Sequence, residues 1–194
     1  MRRREVLEGL RFVTFSCHRR LPLMRNERIC GVFVEALTGA IGRQGIQVVA
    51  WVIMPEHVHM IVRPSPLVAL AQSLRGIKTC VAKRVIARWR AMGHRAAAVL
   101  ERVSVNGRPR FWQTGGGFDR NIRDEEELTR EIRYIHDNPV ERGLVEAAEE
   151  WRWSSVRWWM GQREGEVPCV YPKGAGWERW KGYVTRRVGG ATVD

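Results

Sequence analysis

Residues 46 to 62 constrain the fold more than any other stretch of the chain. Ile46 to Met54 reads Ile-Gln-Val-Val-Ala-Trp-Val-Ile-Met. This nearly continuous apolar, β-branched run of strand length suits a strand covered on both faces, in the middle of a sheet. Pro55-Glu56 interrupts the run, and His57-Val58-His59-Met60-Ile61-Val62 resumes as an alternating strand until Pro64 and Pro66 stop it. The two strands read as a hairpin.

The flanking segments complete a recognisable order. Arg11 to Ser16 alternates apolar with polar or basic residues, the period-2 pattern of a first strand with one wet face. From Glu27 to about Arg43, Ile29, Val32, Phe33, Ala36, Leu37, Ala40 and Ile41 recur at three and four, and Gly42 and Gly45 bracket the end of an amphipathic helix. After the hairpin, Leu67, Leu70, Ala71, Leu74, Ile77, Val81, Val85 and Trp89 form one stripe of a long helix reaching about Met92. Its other faces carry Arg75, Lys78, Lys83, Arg84, Arg88 and Arg90. Residues 93 to 110 read as a connection with a turn at Asn106-Gly107, able to form a small hairpin. Phe111-Trp112-Gln113 is the candidate for the fourth strand, followed by Gly115-Gly116-Gly117. The order is βαββαβ, an α+β, ferredoxin-like antiparallel sheet with two helices on one face and the other face open. A further helix opens with the capping box Asp124-Glu125-Glu126-Glu127, buries Leu128, Ile132 and Ile135, and ends at Pro139. A Trp-rich remainder, with Trp151, Trp153, Trp158, Trp159, Trp177 and Trp180, is expected to pack on the domain as an appendage. The expected division is residues 1–160 as the domain and 161–194 as a tail.

Charge says what such a domain attracts. The 194 residues hold 33 Lys and Arg against 21 Asp and Glu, a formal charge of +12, with 44% hydrophobic residues to build a core. That excess points to phosphate, since neutralising nucleic-acid phosphates releases counterions and supplies much of a binder's affinity. No apolar stretch approaches the roughly 18 to 20 residues of a membrane helix, and no secretory-type apolar run follows the basic start, so a cytoplasmic protein without a membrane partner is expected. Cys17, Cys30, Cys80 and Cys169 lie far apart with no Cys-x-x-Cys pair, and read as reduced thiols.

Two sets of residues can carry chemistry. His57 and His59 are two apart on a strand, so both rings leave one face about 6.5 Å apart. Two neutral imidazoles can chelate a divalent ion and leave positions open for substrate, although a lone His-x-His pair is more often a surface or hydrogen-bonded pair. Tyr134 and Asn138 are four apart and share a helix face with Glu127 and Glu131. A phenol is a poor nucleophile at neutral pH unless a nearby cation favours the phenolate. The plainer readings are a tyrosine that packs its ring and wets its hydroxyl, and an Asn138 that caps a helical turn starting at Pro139. Spacing leaves these alternatives even. His136 falls about 200° round the helix from Tyr134 and reads as structural, and His18 and His94 receive no role. Glu131 is a candidate base or extra ligand, but a salt-bridged carboxylate is the stronger reading.

The segments Trp51-Val52-Ile53-Met54-Pro55-Glu56-His57-Val58-His59, Phe111-Trp112-Gln113, Phe118 to Asp124, Tyr134-Ile135-His136-Asp137-Asn138-Pro139-Val140 and Trp153-Ser154-Ser155 occur in an order and spacing that resemble REP-associated tyrosine transposases. These belong to the single-tyrosine, IS200-like branch of the HUH single-strand DNA nucleases. The resemblance runs from about Arg11 to Trp158. It implies that His57, His59 and Asn138 are the metal ligands and Tyr134 the catalytic nucleophile. It further implies Mg²⁺ or Mn²⁺ as cofactor and single-stranded or hairpin DNA as partner, cut near short palindromes through a 5′-phosphotyrosine link. It supports Lys78 as a DNA contact. Arg75 and Arg120 join it as basic candidates, and Trp112, Phe111 and Phe118 as stacking candidates for unpaired bases, with core packing the competing reading for each. Thr114 and three glycines stand after Trp-Gln where the family often has a basic residue. The resemblance favours a monomer, with a dimer as the alternative. The competing functions are a non-cleaving single-strand RNA or DNA binding module and, more weakly, a structural zinc protein.

Overall fold

The computed structural model describes residues 9–115, 117–162 and 167–172. The elements are β1 (Arg11–Ser16), α1 (Glu27–Gln44), β2 (Gln47–Met54), β3 (His57–Arg63), α2 (Leu70–Ala91), α3 (Ala97–Val103), β4 (Ser104–Val105), β5 (Arg108–Pro109), β6 (Phe118–Asn121), α4 (Glu125–Glu141) and α5 (Val156–Trp159). The main sheet has the order β2-β3-β1-β6 with every neighbouring pair antiparallel, the βαββαβ arrangement expected. Asn26 caps α1 by accepting the Arg28 backbone N–H at 3.0 Å, and Gly45 ends it at φ 70°, where a side chain is disfavoured. Between α2 and β6, Asn106 and Gly107, both at positive φ, turn the two-residue hairpin β4–β5.

The two faces of the sheet are assigned by ring contacts and register. Phe15 touches Phe33 of α1, and Lys78 of α2 lies over the Phe15 ring, so α1 and α2 cover that face. Thr14 pairs with His59, and Ser16 with His57, on the opposite face. There α4 lies across β2 and β3, so the surface expected to be open is partly roofed by the tyrosine helix. Leu128, Ile132 and Ile135 are fully buried under it.

Four expectations change. The fourth strand is Phe118–Asn121, whereas Phe111-Trp112-Gln113 makes only a bridge from Trp112 to Cys17 beyond the end of β1. The hydrophobic period could not signal β6, because Phe-Asp-Arg-Asn is held by polar contacts: Asp119 pairs with Arg11 at 2.6 Å, and the Arg120 guanidinium lies over Phe12. Gly117 makes the approach possible, since a Cβ there would sit 2.3 Å from the Thr14 carbonyl. Second, α2 starts at Leu70 and leaves Leu67 exposed. Third, α4 runs through Pro139 to Glu141, so Asn138 lies within the helix and does not cap a new turn. Fourth, β2 is a terminal strand, not a central one. Its burial comes from the Trp-rich segment: Val52 bridges Ser154, Val48 bridges Cys169, and the Trp151 and Trp159 indole N–H groups donate to Ile53 and Val49 carbonyls at 2.9 Å. The appendage thus satisfies an edge that would otherwise template aggregation. Trp177 and Trp180 lie outside the described residues.

His136 joins α4 to this cover. It is fully buried, with Nε2 2.8 Å from the Ser155 hydroxyl, and that oxygen accepts the Trp51 backbone N–H at 2.9 Å. Burial lowers the pKa of His136 from 6.5 to about 3. An unfolded ring therefore takes up a proton below about pH 6.5 while the folded ring does not. The stability held by the neutral ring is complete above that pH and is lost progressively as the pH falls toward 3, at up to about 1.4 kcal/mol per pH unit. We expect His136→Gln to flatten the acid side of the stability profile, read as urea midpoints between pH 7.5 and 4. Parallel profiles for the two proteins would refute this account. The thiols of Cys17, Cys30 and Cys169 are pushed up to about 12 by burial, and all four cysteines are free, as inert reduced thiols should be. No helix among the described residues is long and apolar enough to cross a membrane.

Candidate active site

The site lies where β3, the turn before it and α4 meet. His57 and His59 leave the same face of β3, both nearly buried, and their Nε2 atoms stand 2.8 Å apart. The Tyr134 hydroxyl lies 3.5 Å from His59 Nε2, and its ring is 5.2 Å from the His59 ring. Tyr134 remains 38% exposed. Phe12 of β1 underlies both, with ring centres 5.6 Å from His59 and 6.2 Å from Tyr134. Four residues after Tyr134, Asn138 is buried, and its side-chain oxygen has no hydrogen-bond partner among the described residues.

The outer nitrogens of both histidines are occupied. His57 Nδ1 is 3.1 Å from Glu56 Oε1, and His59 Nδ1 is 2.6 Å from Thr14 Oγ1. His57 Nδ1 donates to Glu56, which leaves the His57 Nε2 lone pair free; His59 either accepts from Thr14 at Nδ1 and donates its Nε2–H to His57, or, in the tautomer that can ligate a metal through Nε2, carries its proton on Nδ1 and donates it to Thr14 Oγ1. Burial lowers the pKa of His57 and takes that of His59 down to about 3, with Glu56 opposing the shift at both and the charge of His57 adding to it at His59. Both rings are therefore neutral at pH 7, the state in which imidazole ligates metals.

A divalent ion fits this donor set. Two imidazole nitrogens converge, and the orphaned Asn138 oxygen supplies a buried acceptor on the nucleophile's helix. Among the described residues no three His, Cys, Asp or Glu side chains cluster around a common point. A site drawn from two imidazoles and an amide leaves coordination positions for substrate oxygens, as catalytic sites require.

The remaining candidates divide. Glu131 is ion-paired to Arg120 at 2.7 Å and lies 3.6 Å from Arg130, so the salt-bridged reading holds. Arg120 also pairs with Glu127, and those two carboxylates together with Phe12 occupy the guanidinium that was expected to meet DNA. Arg120 thereby anchors the start of α4 to β6. The Glu127 carboxylate accepts the Arg123 backbone N–H while Asp124 caps the Glu127 N–H, so the box is displaced by one residue from its usual form. Trp112 is a core residue, packed against Phe15, Phe33 and Phe111 with its N–H donated to the Lys78 carbonyl. Phe111 is buried with it, and only Phe118 of the three stacking candidates is exposed. Lys78 and Arg75 line a cleft of about 680 Å³ on the α2 side with Arg110, Gly115 and Asp119. The Lys78 ammonium donates to the Gly115 carbonyl at 3.3 Å, and burial lowers its pKa. Thr14, Phe12, Glu56, Arg20 and Arg142 were not anticipated as site residues. The available signal was adjacency for Glu56 and the wet-face position for Thr14; nothing local marks Arg20 or Arg142.

A histidine pair on a ferredoxin-like strand facing a single tyrosine on a helix is the constellation of single-tyrosine HUH proteins. The family model described as "Transposase IS200 like" matches residues 10–138, well over half of the sequence, and the chain belongs to that family. A Haemophilus influenzae protein carried under the name "Putative REP-associated tyrosine transposase" is 27% identical over 115 residues, covering 56% of this chain and 58% of its own length. The chain thus matches a little over half of that relative. A solved REP-associated tyrosine transposase, bound to a REP hairpin, superposes with a TM-score of 0.59 at 20% identity, over 79% of this chain and 80% of the other, and shares its fold.

Proposed function

We propose that this protein is a metal-dependent endonuclease and strand transferase that cuts single-stranded DNA at short palindromic hairpins. One observation carries the reading. A tyrosine hydroxyl stands 3.5 Å from one of two convergent imidazole nitrogens, although 75 residues separate them in sequence. The hairpin substrate is supported by what the solved relative binds. His57, His59 and Asn138 would hold Mg²⁺ or Mn²⁺, which would polarise the scissile phosphate as a Lewis acid. The Tyr134 oxygen, having lost its proton to solvent, attacks phosphorus; the bond to the 3′ oxygen breaks, and that oxygen is protonated. The 5′ end remains on Tyr134 as a phosphodiester, which preserves the bond for rejoining. Phe12 and the Thr14–His59 bond hold the rings in place, while Arg75 and Lys78 hold backbone phosphates. The transposase domain spans residues 1–160, with 161–194 as a C-terminal tail packed on or extending from it, in a cytoplasmic monomer.

The test is a hairpin oligonucleotide labelled at its 3′ end, incubated with the protein and Mn²⁺ or Mg²⁺ and run on a denaturing protein gel. A labelled protein band that chelator prevents is expected. Binding without any band, across several palindromes, would favour a non-cleaving module.

Phe118 and Trp112 give a paired prediction. Phe118 is 56% exposed and sits in the cross-strand row Phe118–Thr14–His59, on the tyrosine face. We expect Phe118→Ala to leave stability unchanged and to weaken single-strand binding by roughly 1–3 kcal/mol through lost stacking. Trp112→Ala is expected to cost roughly 3–5 kcal/mol of folding stability. Urea melts and fluorescence anisotropy check both, and the reverse pattern would return Trp112 to the DNA surface.

A further inference from the structure

We infer that Glu56 is the positioning residue that ties the histidine pair to the tyrosine helix. The inference rests on the metal reading of His57 and His59. A single buried oxygen, Glu56 Oε1, receives three partners from three parts of the chain: His57 Nδ1 at 3.1 Å, Arg142 Nη1 at 2.9 Å and Arg20 Nη2 at 3.2 Å. The turn carrying it is itself held, since the Cys17 and Met24 backbone N–H groups donate to the Glu56 and Pro55 carbonyls at 2.8 and 2.9 Å. The carboxylate therefore has little freedom to drift.

Each contact has a separate consequence. A carboxylate at Nδ1 keeps the proton there and leaves the His57 Nε2 lone pair aimed at His59 Nε2, which fixes tautomer and ring orientation for ligation and raises ligand basicity. Arg142 is the C-cap residue of α4, two helical turns beyond Tyr134, so the same oxygen sets the end of the nucleophile's helix against β3. Arg20 arrives from a turn in which Arg19 and Arg20 have φ of 52° and 51°, left-handed backbone that disfavours non-glycine residues. That turn places a second cation on a carboxylate whose burial favours the neutral acid. Arg142 and Arg20 are both partly exposed, so removing the carboxylate leaves them solvated and the fold intact.

Glu56 thus acts through His57 and through α4, never on the DNA. The test measures Mn²⁺ binding to the full chain by electron paramagnetic resonance of the free ion, together with adduct yield at saturating Mn²⁺. Glu56→Ala is expected to weaken Mn²⁺ binding by about 10- to 100-fold, the usual effect of losing an outer partner of a ligating histidine. Arg142→Gln is expected to retain Mn²⁺ binding and to lower adduct yield, because it loosens the helix and spares the histidine. Wild-type binding of Mn²⁺ with equal affinity in Glu56→Ala would overturn the inference alone, as would an Arg142→Gln yield matching wild type. Failure of the wild type to bind Mn²⁺ would overturn the metal reading and the inference with it. Should Glu56→Ala fail to fold, nitrogen NMR of wild-type His57 decides: the Nδ1–H tautomer supports the role, and the Nε2–H tautomer refutes it.

Discussion

Tyr134→Phe is expected to abolish the labelled protein–DNA adduct while hairpin binding persists. The change removes one oxygen and leaves the ring contacts with Phe12 and His59 in place, and Tyr134 lies at the surface of α4 where the hydroxyl carries little folding energy. Loss of a catalytic nucleophile typically costs roughly 10⁴ to 10⁶ in rate, enough to take the band below detection. Anisotropy with the same oligonucleotide shows that the DNA still binds. A labelled band surviving at wild-type intensity would mean that another side chain attacks phosphorus. The remaining described tyrosine, Tyr171, packs its ring on Trp158 and Trp159.

His59→Gln is expected to have the second largest effect, eliminating the response of the adduct to Mn²⁺. His59 is the centre of the site: Thr14 holds one nitrogen, and the other faces both His57 and Tyr134. Losing a direct ligand should exceed the roughly 10- to 100-fold typical of an outer partner. Glutamine retains polar atoms in the space beside Thr14, and a urea melt separates loss of ligation from loss of fold. Unchanged Mn²⁺ affinity and adduct yield in a folded variant would remove His59 from the ligand set. His57→Gln should behave alike, with the added loss of the bond to Glu56.

How much of this was legible in the sequence differs by element. The hairpin β2–β3, the helices α1, α2 and α4, and the facing of His57 and His59 all follow from periodicity, because one repeating burial pattern spans each of them. The fourth strand was misplaced because its stability is cross-strand and electrostatic: Arg11 with Asp119 joins residues 108 apart, which no local window contains. Residue type and the family resemblance made Arg120 and Trp112 candidates for DNA contact, with core packing weighed beside it for Trp112. Type cannot tell a guanidinium held by Glu127 and Glu131 from a free one, nor an indole in the Phe15–Phe33 cluster from one awaiting a base.

The βαββαβ order of strands and helices and the excess of basic charge were determined by the sequence itself, through periodicity and composition, whereas the roles of Tyr134, His57, His59 and Asn138 came from the family resemblance. What only the tertiary structure decided is which of these groups meet. Tyr134 and His59 approach because Arg120 holds the start of α4, Arg142 its end and His136 its middle. The cover over β2 came from a segment a hundred residues away. The reason is physical: a helix or strand is specified by neighbours within a few residues, whereas a site assembled from distant elements depends on packing and charge pairing that exist only once the chain has closed on itself.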